Sequence, residues 1–374
     1  MSQDYTSLGL MSGTSGDGVD ASIIKSDGKS KYVGILNDYF KYNKEIYEKI
    51  HNLKEKIHKL TDLQKCSKEL KSLEKEITMF HAKVVNNILR DKKVDIVGFH
   101  GQTIYHNSQE KVSKQLGNGA LLSQLTKKDV VYNFRSNDLK NGGEGAPLSP
   151  IFHQLIATQN SLDLPICILN IGGISNITIV GGPSGTLSLT SRDIGPGNCL
   201  IDSWVRKNSD KNFDKDGILA SQGTRNEIIF EQAQELFSNR PNQNTLSFDV
   251  NDFDVSFARG LSLEDGATTL TDFTARIIGS ALFSLLSNVK NKLWKVLICG
   301  GGRKNKVLIE KIKKNTLQNI IIQPIDDYGI DGDFVESQAF AFLAIRSILK
   351  LPISFPDTTG CNKPTLGGDI IKFK

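Results

Sequence analysis

Four short segments concentrate the residue types that bind anions, move protons and let a ligand approach the backbone. Gly13-Thr14-Ser15-Gly16-Asp17-Gly18 combines glycines with two hydroxyls and an acid, so its backbone can approach an anion closely while its side chains supply polar contacts. It is not a Walker A loop, because no Gly-Lys-[Ser/Thr] follows and strand-like residues stand on both sides. The plain alternative is a tight hairpin turn, which this length and its three polar side chains argue against. Asp193-Ile194-Gly195-Pro196-Gly197-Asn198 puts an acid at the head of a glycine loop, ahead of the apolar helix-like run Cys199–Val205. Asp193 is then either a general base or a helix cap, and Asn198, nearer the helix start, already suits capping. Gly300-Gly301-Gly302, directly after Val296–Cys299, makes a flat backbone floor on which an adenine or ribose could rest; a flexible loop is the competing reading. His100-Gly101-Gln102-Thr103 closes the apolar run Val94–Phe99, at the strand end where α/β sheets place ligands. Glu336 opens the last helical run beside Asp331 and Asp333, where a site role competes with simple complementing of the helix dipole. His100, His106 and His153 have no metal-ligand spacing, and His153 reads as a packed helix residue.

The elements that must hold these segments alternate. Ser7–Met11 and Val19–Ile24 read as strands flanking the first loop, so a hairpin is expected. Leu73, Ile77, Phe80, Val84 and Ile88 recur at three- and four-residue steps and predict a helix, with Thr61-Asp62-Leu63-Gln64 as an upstream capping box. Val130–Phe134 is a further strand, Gly142–Pro147 looks like a hinge or lobe crossing, and Ile151–Ala157 is helical. The opening pattern then recurs: strand Ile166–Leu169, the turn Asn170–Asn176 with Gly172 and Gly173, and strand Ile177–Val180. Helix Thr271–Leu286, strand Lys295–Cys299, helix Lys306–Lys313, strand Ile320–Gln323 and helix Glu336–Leu349 follow, a pattern of α/β layers. A duplicated start this far apart suits two related lobes rather than a solenoid.

Composition narrows the classes. The 374 residues predict two domains, and 39% apolar with 23% charged residues is the balance of a soluble globular protein. The excess of 46 basic over 41 acidic residues is spread along the chain, which argues against nucleic-acid binding. Apolar runs such as Ile277–Leu286 fall short of a bilayer span, and Met1-Ser2-Gln3-Asp4 carries no cationic leader, so a cytoplasmic protein is expected. Five widely spaced cysteines without a Cys-x-x-Cys pair fit reduced thiols.

In order along nearly the whole chain, Gly9–Asp20, His100–Thr103, Phe134-Arg135 with Gly142–Pro147, Asn170–Asn176, Asp193–Asn198, Gly300–Gly302 and Glu336 ahead of Ala339-Phe340-Ala341 resemble the anhydro-N-acetylmuramic acid kinase family of the actin, sugar-kinase and heat-shock ATPase superfamily. The resemblance implies an α/β fold of two ribonuclease-H-like lobes with an ATP cleft between them, one spanning 1–140 and rejoined by 350–374, the other spanning 141–349. It implies MgATP as the phosphoryl source and hydrolytic opening of a 1,6-anhydro bridge coupled to phosphorylation of the 6-oxygen. Nucleotide contacts are implied for Gly13, Thr14, Ser15, Gly16, Asp17, Gly18, Gly172, Gly173, Gly195, Gly197, Asn198, Gly300, Gly301 and Gly302, with Asp17 also on the metal. Asp193 matches the catalytic base, and Thr103, Arg135 and Glu336 match sugar-side positions. The implied partners are ATP and the anhydrosugar, without nucleic acid or membrane; a homodimer stays open. The chain departs from the family pattern at Gly117-Asn118-Gly119, where Gly-Asp-Gly is usual, and at Arg240–Leu246, where a Pro-Pro-Lys-Ser-Thr-Gly-Arg stretch is usual. A kinase of another anhydrosugar, such as 1,6-anhydroglucose, and a non-catalytic ATP- or sugar-sensing module are the alternatives.

Overall fold

The structure is a computed structural model that describes residues 3–182, 187–239, 246–287 and 293–374. The chain folds as two compact units, Met1–Leu162 with Leu189–Ser191 and Phe334–Lys374, and Asp163–Ser188 with Arg192–Asp333.

The first unit opens with β1 (Tyr5–Ser12), β2 (Gly18–Ser26) and β3 (Tyr32–Lys41), an antiparallel meander in which Leu10 faces Ala21 and Val19 faces Phe40. The expected hairpin is therefore present. Helices α1 (Lys44–Lys56), α2 (Leu60–Lys65) and α3 (Ser67–Ile88) follow. On α3 the stripe Leu73, Ile77, Val84 and Ile88 is buried, because its 3.6-residue spacing aligns these side chains on one face. The helix start differs from the expected box: Thr61 lies inside α2, and it is the Asp62 carboxylate that reaches back to the backbone N–H of His58 and Lys59. Next come β4 (Ile96–Asn107), β5 (Val112–Leu116), α4 (Gly119–Thr126), β6 (Asp129–Tyr132), α5 (Ser136–Lys140) and α6 (Pro150–Gln159). Strand β4 runs parallel to β1, and β6 runs parallel to β4.

The second unit repeats the plan. Strands β7 (Ile166–Ile171) and β8 (Ile174–Val180) pair antiparallel, with β9 (Leu189–Pro196) beside β8. Helices α7 (Cys199–Asn208), α8 (Ile218–Gln222), α9 (Glu227–Ser238) and α10 (Leu263–Leu286) precede β10 (Trp294–Cys299), α11 (Lys306–Lys314) and β11 (Ile320–Pro324). Strand β10 is parallel to both β7 and β11. Fully buried Cys167, Leu169, Val296 and Leu308 make its core, as expected of strands covered on both faces.

Three last elements, α12 (Val335–Ile348), α13 (Pro356–Thr359) and β12 (Asp369–Ile371), return to the first unit, where β12 pairs antiparallel with β6. The sheet orders are β12-β6-β4-β1-β2-β3 and β11-β10-β7-β8-β9. In each, a three-strand run carries two parallel strands on the far side of its first member, which is the ribonuclease-H-like order and accounts for the duplicated start.

Helix α12 packs directly on the first sheet. A Cβ on Gly9 would stand 2.0 Å from the Ser337 carbonyl oxygen and one on Gly98 would stand 2.4 Å from that of Phe340, so glycine in β1 and β4 is what lets the helix backbone approach. This places 334–349, expected in the second lobe, within the first unit. Residues 141–162, also expected in the second lobe with the hinge at 141–147, lie inside the first unit, where the Glu144 N–H donates to the Thr359 carbonyl.

Candidate active site

The loop joining β1 to β2 is braced from below. The Ser12 hydroxyl lies 2.6 Å from Gln102 Oε1, 2.9 Å from the Gly18 carbonyl and 3.0 Å from the Tyr42 hydroxyl, while Gln102 Nε2 donates to the Gly13 carbonyl at 2.9 Å. Lys54 on α1 donates to the Thr14 carbonyl at 2.6 Å, and the Gly16 N–H closes the turn on Gly13. Ser12 and Gln102 are fully buried, so these bonds form in a low dielectric, where they hold the loop firmly. Ser15 donates to Asp17 Oδ1 at 2.5 Å. Burial, followed by the Asp17 charge, raises the Tyr39 phenol.

His100-Gly101-Gln102-Thr103 was expected just past a strand end; the structure runs β4 straight through it, with a register irregularity between Thr103 and Tyr105. Thr103 Oγ1 accepts from Gln115 Nε2 at 3.3 Å. Arg135 Nε and Nη2 both donate to His100 Nε2, at 3.2 and 3.0 Å, and Nη1 donates to the Gly145 carbonyl at 2.8 Å. His100 Nδ1 donates to the Gly101 carbonyl at 2.7 Å, so its other nitrogen is the acceptor. Burial and then the Arg135 cation hold this imidazole well below its usual range, which keeps it neutral. Glu336, in the first turn of α12, has its carboxyl raised by burial and opposed by the charge of Arg135. Asp138, which the residue pattern did not single out, is the buried hub of this region. Its carboxylate accepts from the Gly145 N–H at 2.8 Å, from Ser354 at 2.5 Å and from Thr359 at 2.7 Å. An acid three residues after Arg135 and just ahead of the glycine run was the available signal.

In the second unit, Asp193 lies inside β9 rather than at the head of a loop. It is 95% buried, and its Oδ2 accepts from the Phe248 N–H at 2.8 Å, while its own N–H donates to Leu246. Six residues before α7, it is out of reach of the helix-capping position that Asn198 occupies. The Asn198 side chain makes no cap bond either; it donates to the Gly172 carbonyl at 3.2 Å. The N–H groups of Gly197 and Asn198 donate to the carbonyls of Gly173 and Gly172, so these two amides tie the β9 and β7 ends together. Gly195, between Asp193 and that tie, packs so that an added Cβ would meet Ile277 at 2.5 Å.

Gly300, Gly301 and Gly302 have three different surroundings. An added Cβ on Gly300 would stand 2.4 Å from Asn170 Oδ1 and one on Gly302 would stand 2.2 Å from Ile171, whereas one on Gly301 meets nothing within 4 Å. The outer glycines serve packing and the middle one faces open space. Arg303 locks the turn through Asp326, at 2.8 Å, and Asp333, at 2.5 Å; burial alone would favour its neutral form, but these carboxylates raise its pKa. Arg240–Thr245, within the divergent stretch, lies outside the described residues.

Among the described residues no three His, Cys, Asp or Glu side chains gather as a metal cage. A single carboxylate at Asp17 beside a glycine loop nevertheless fits magnesium, which keeps much of its hydration and is usually shared with substrate phosphates. No helix among the described residues is long and apolar enough to cross a membrane.

A family model described as Anhydro-N-acetylmuramic acid kinase matches residues 5–372. The chain is 54% identical over 374 residues to the anhydro-N-acetylmuramic acid kinase of Pelagibacter ubique strain HTCC1062, covering 100% of both chains. It is 37% identical to that of Zymomonas mobilis subsp. mobilis strain ATCC 31821 / ZM4 / CP4, covering 97% of this chain and 98% of the relative. Among solved structures, a hexokinase from Schistosoma mansoni complexed with glucose aligns with a TM-score of 0.39 at 11% identity, over 91% of this chain and 85% of that one.

Proposed function

The chain belongs to the anhydro-N-acetylmuramic acid kinase family, and on that premise we infer that it consumes anhydro-N-acetylmuramic acid, ATP and water to form N-acetylmuramate 6-phosphate and ADP, a step of peptidoglycan recycling. The observation that carries this reading is the 54% identity extending over all 374 residues, with no part of the chain left unmatched.

In the proposed reaction Asp193 accepts a proton from water as the water oxygen bonds to the anomeric carbon. The bond from that carbon to the bridging 6-oxygen breaks, and the 6-oxygen, gaining charge, takes the γ-phosphoryl group as ADP leaves. One base thus serves both steps, because the leaving group of the first is the nucleophile of the second. The buried Phe248 N–H on Asp193 Oδ2 fixes the carboxylate's orientation. Arg135 is the proposed holder of the lactyl carboxylate, its plane set by His100 and Gly145, with Thr103 and Glu336 on sugar hydroxyls. Gly13–Gly18 would cradle the phosphates, Asp17 would hold magnesium, and Gly301, which faces open space, would lie against the nucleoside. Magnesium, when bound, neutralises phosphate charge. We place the activity in the cytoplasm. A coupled ADP-release assay across anhydrosugars tests the reading: turnover should be highest on anhydro-N-acetylmuramic acid, and a preference for 1,6-anhydroglucose would reassign the substrate.

A further inference from the structure

The reverse face of the strand that carries Asp193 opens into a cavity. Strand residues alternate sides, so Arg192 and Ile194 point away from the Asp193 carboxylate, and both line a pocket of about 280 Å³ with residues of α9 and α10. Arg276 lines the same pocket from α10, together with Gln234, Ser280 and Ser284. No Asp or Glu lines it. Among the described residues, Arg192 Nε is buried without a hydrogen-bond partner, and Arg276 donates to the neutral side chain of Asn315, at 3.3 Å. The residues outside the described set, 1–2, 183–186, 240–245 and 288–292, contain no acid that could neutralise them.

Burying the Arg192 Nε donor without a partner is costly, and an anion in the cavity would pair with it while drawing on the exposed Arg276 guanidinium that lines the same pocket. Hydroxyl and amide donors beside the arginines complete the lining a phosphate-type dianion requires, and the volume suits a ligand below drug size. We propose that this pocket of the second unit is a binding site for a small phosphate-bearing anion, lined by none of the glycines and loop residues given nucleotide contacts above. Inorganic phosphate and a sugar phosphate share the recognising chemistry and differ in whether the Ile194 side of the pocket is also filled.

The test is titration of the full chain with inorganic phosphate, and separately with glucose 6-phosphate, at constant ionic strength and with saturating MgAMPPNP, followed by calorimetry. A saturable millimolar site is expected, weakened at least tenfold in Arg192→Gln and in Arg276→Gln. Ser280→Glu, at an exposed helix position, places a carboxylate beside the arginines and should abolish binding even if Arg192→Gln proves unstable. Tighter binding of the sugar phosphate would assign the organic ligand, and equal binding would assign the free ion. Absence of saturable binding in the native chain, or equal affinity in Arg276→Gln and Ser280→Glu, would overturn the proposal.

Discussion

Asp193 carries the sharpest consequence of the account because its two readings forecast opposite results. A base replaced by Asn keeps its shape and loses its proton acceptor, so Asp193→Asn should lower kcat by roughly 10²–10⁴-fold with KM little changed. Near-normal turnover in that variant would sink the catalytic role; the capping alternative is already disfavoured by the position of Asp193 inside β9. Asp138 tests positioning at the same scale. Asp138→Ala leaves the buried Ser354 and Thr359 hydroxyls and the Gly145 N–H without their acceptor, at about 1–3 kcal/mol for each group left unsatisfied. Because the Gly145 carbonyl holds Arg135, KM for the sugar should rise in Asp138→Asn, which folds more readily, while KM for ATP stays level. Parallel changes in both KM values would mean a merely global defect.

The glycine turn after β10 behaves as one element with one open position. Gly301→Val should fold with an unchanged melting temperature and bind ATP at least tenfold more weakly, whereas Gly300→Val and Gly302→Val should fail by steric clash with Asn170 and Ile171. Nucleotide affinity unchanged in Gly301→Val would remove this turn from the site. At this scale the sequence was readable where the signal is local. The α3 stripe, the β1–β2 and β7–β8 hairpins and the glycine run needed only spacing and turn chemistry. What escaped was set by distant partners: β4 continues through Gly101 because β5 pairs with it, and Asn198 gives its side chain to the β7 turn rather than to its own helix. The Asp138 hub escaped for the same reason, since its partners Ser354 and Thr359 follow it by more than two hundred residues.

At the scale of the molecule, two ribonuclease-H-like sheets were foreseeable from the duplicated strand, loop and strand, while the path of α12 was not. Partners more than two hundred residues away assign that helix to the first unit: Ser337 and Phe340 pack on Gly9 and Gly98, Ser337 meets Ser22, and Arg346 donates to the Gly28 carbonyl. Buried histidines make the stability of the whole chain depend on pH. Burial lowers His81 to about 4 and His106 and His153 to about 3, against an ordinary value near 6.5. The unfolded chain therefore binds protons below pH 6.5 that the folded chain refuses. The stabilisation from these neutral imidazoles is complete above pH 6.5 and is lost as pH falls toward 4 and then 3, at about 1.4 kcal/mol per pH unit for each. Urea midpoints should fall steadily from pH 7 to pH 5, and a flat profile would contradict the burial of these rings. The central claim, that water opens the anhydro bridge while the freed oxygen takes the phosphoryl group, is tested most directly by turnover of anhydro-N-acetylmuramic acid with ATP in ¹⁸O-labelled water. Mass spectrometry should find one ¹⁸O at the anomeric carbon of N-acetylmuramate 6-phosphate and none in its phosphate. Label in inorganic phosphate with the anhydrosugar left intact would contradict it.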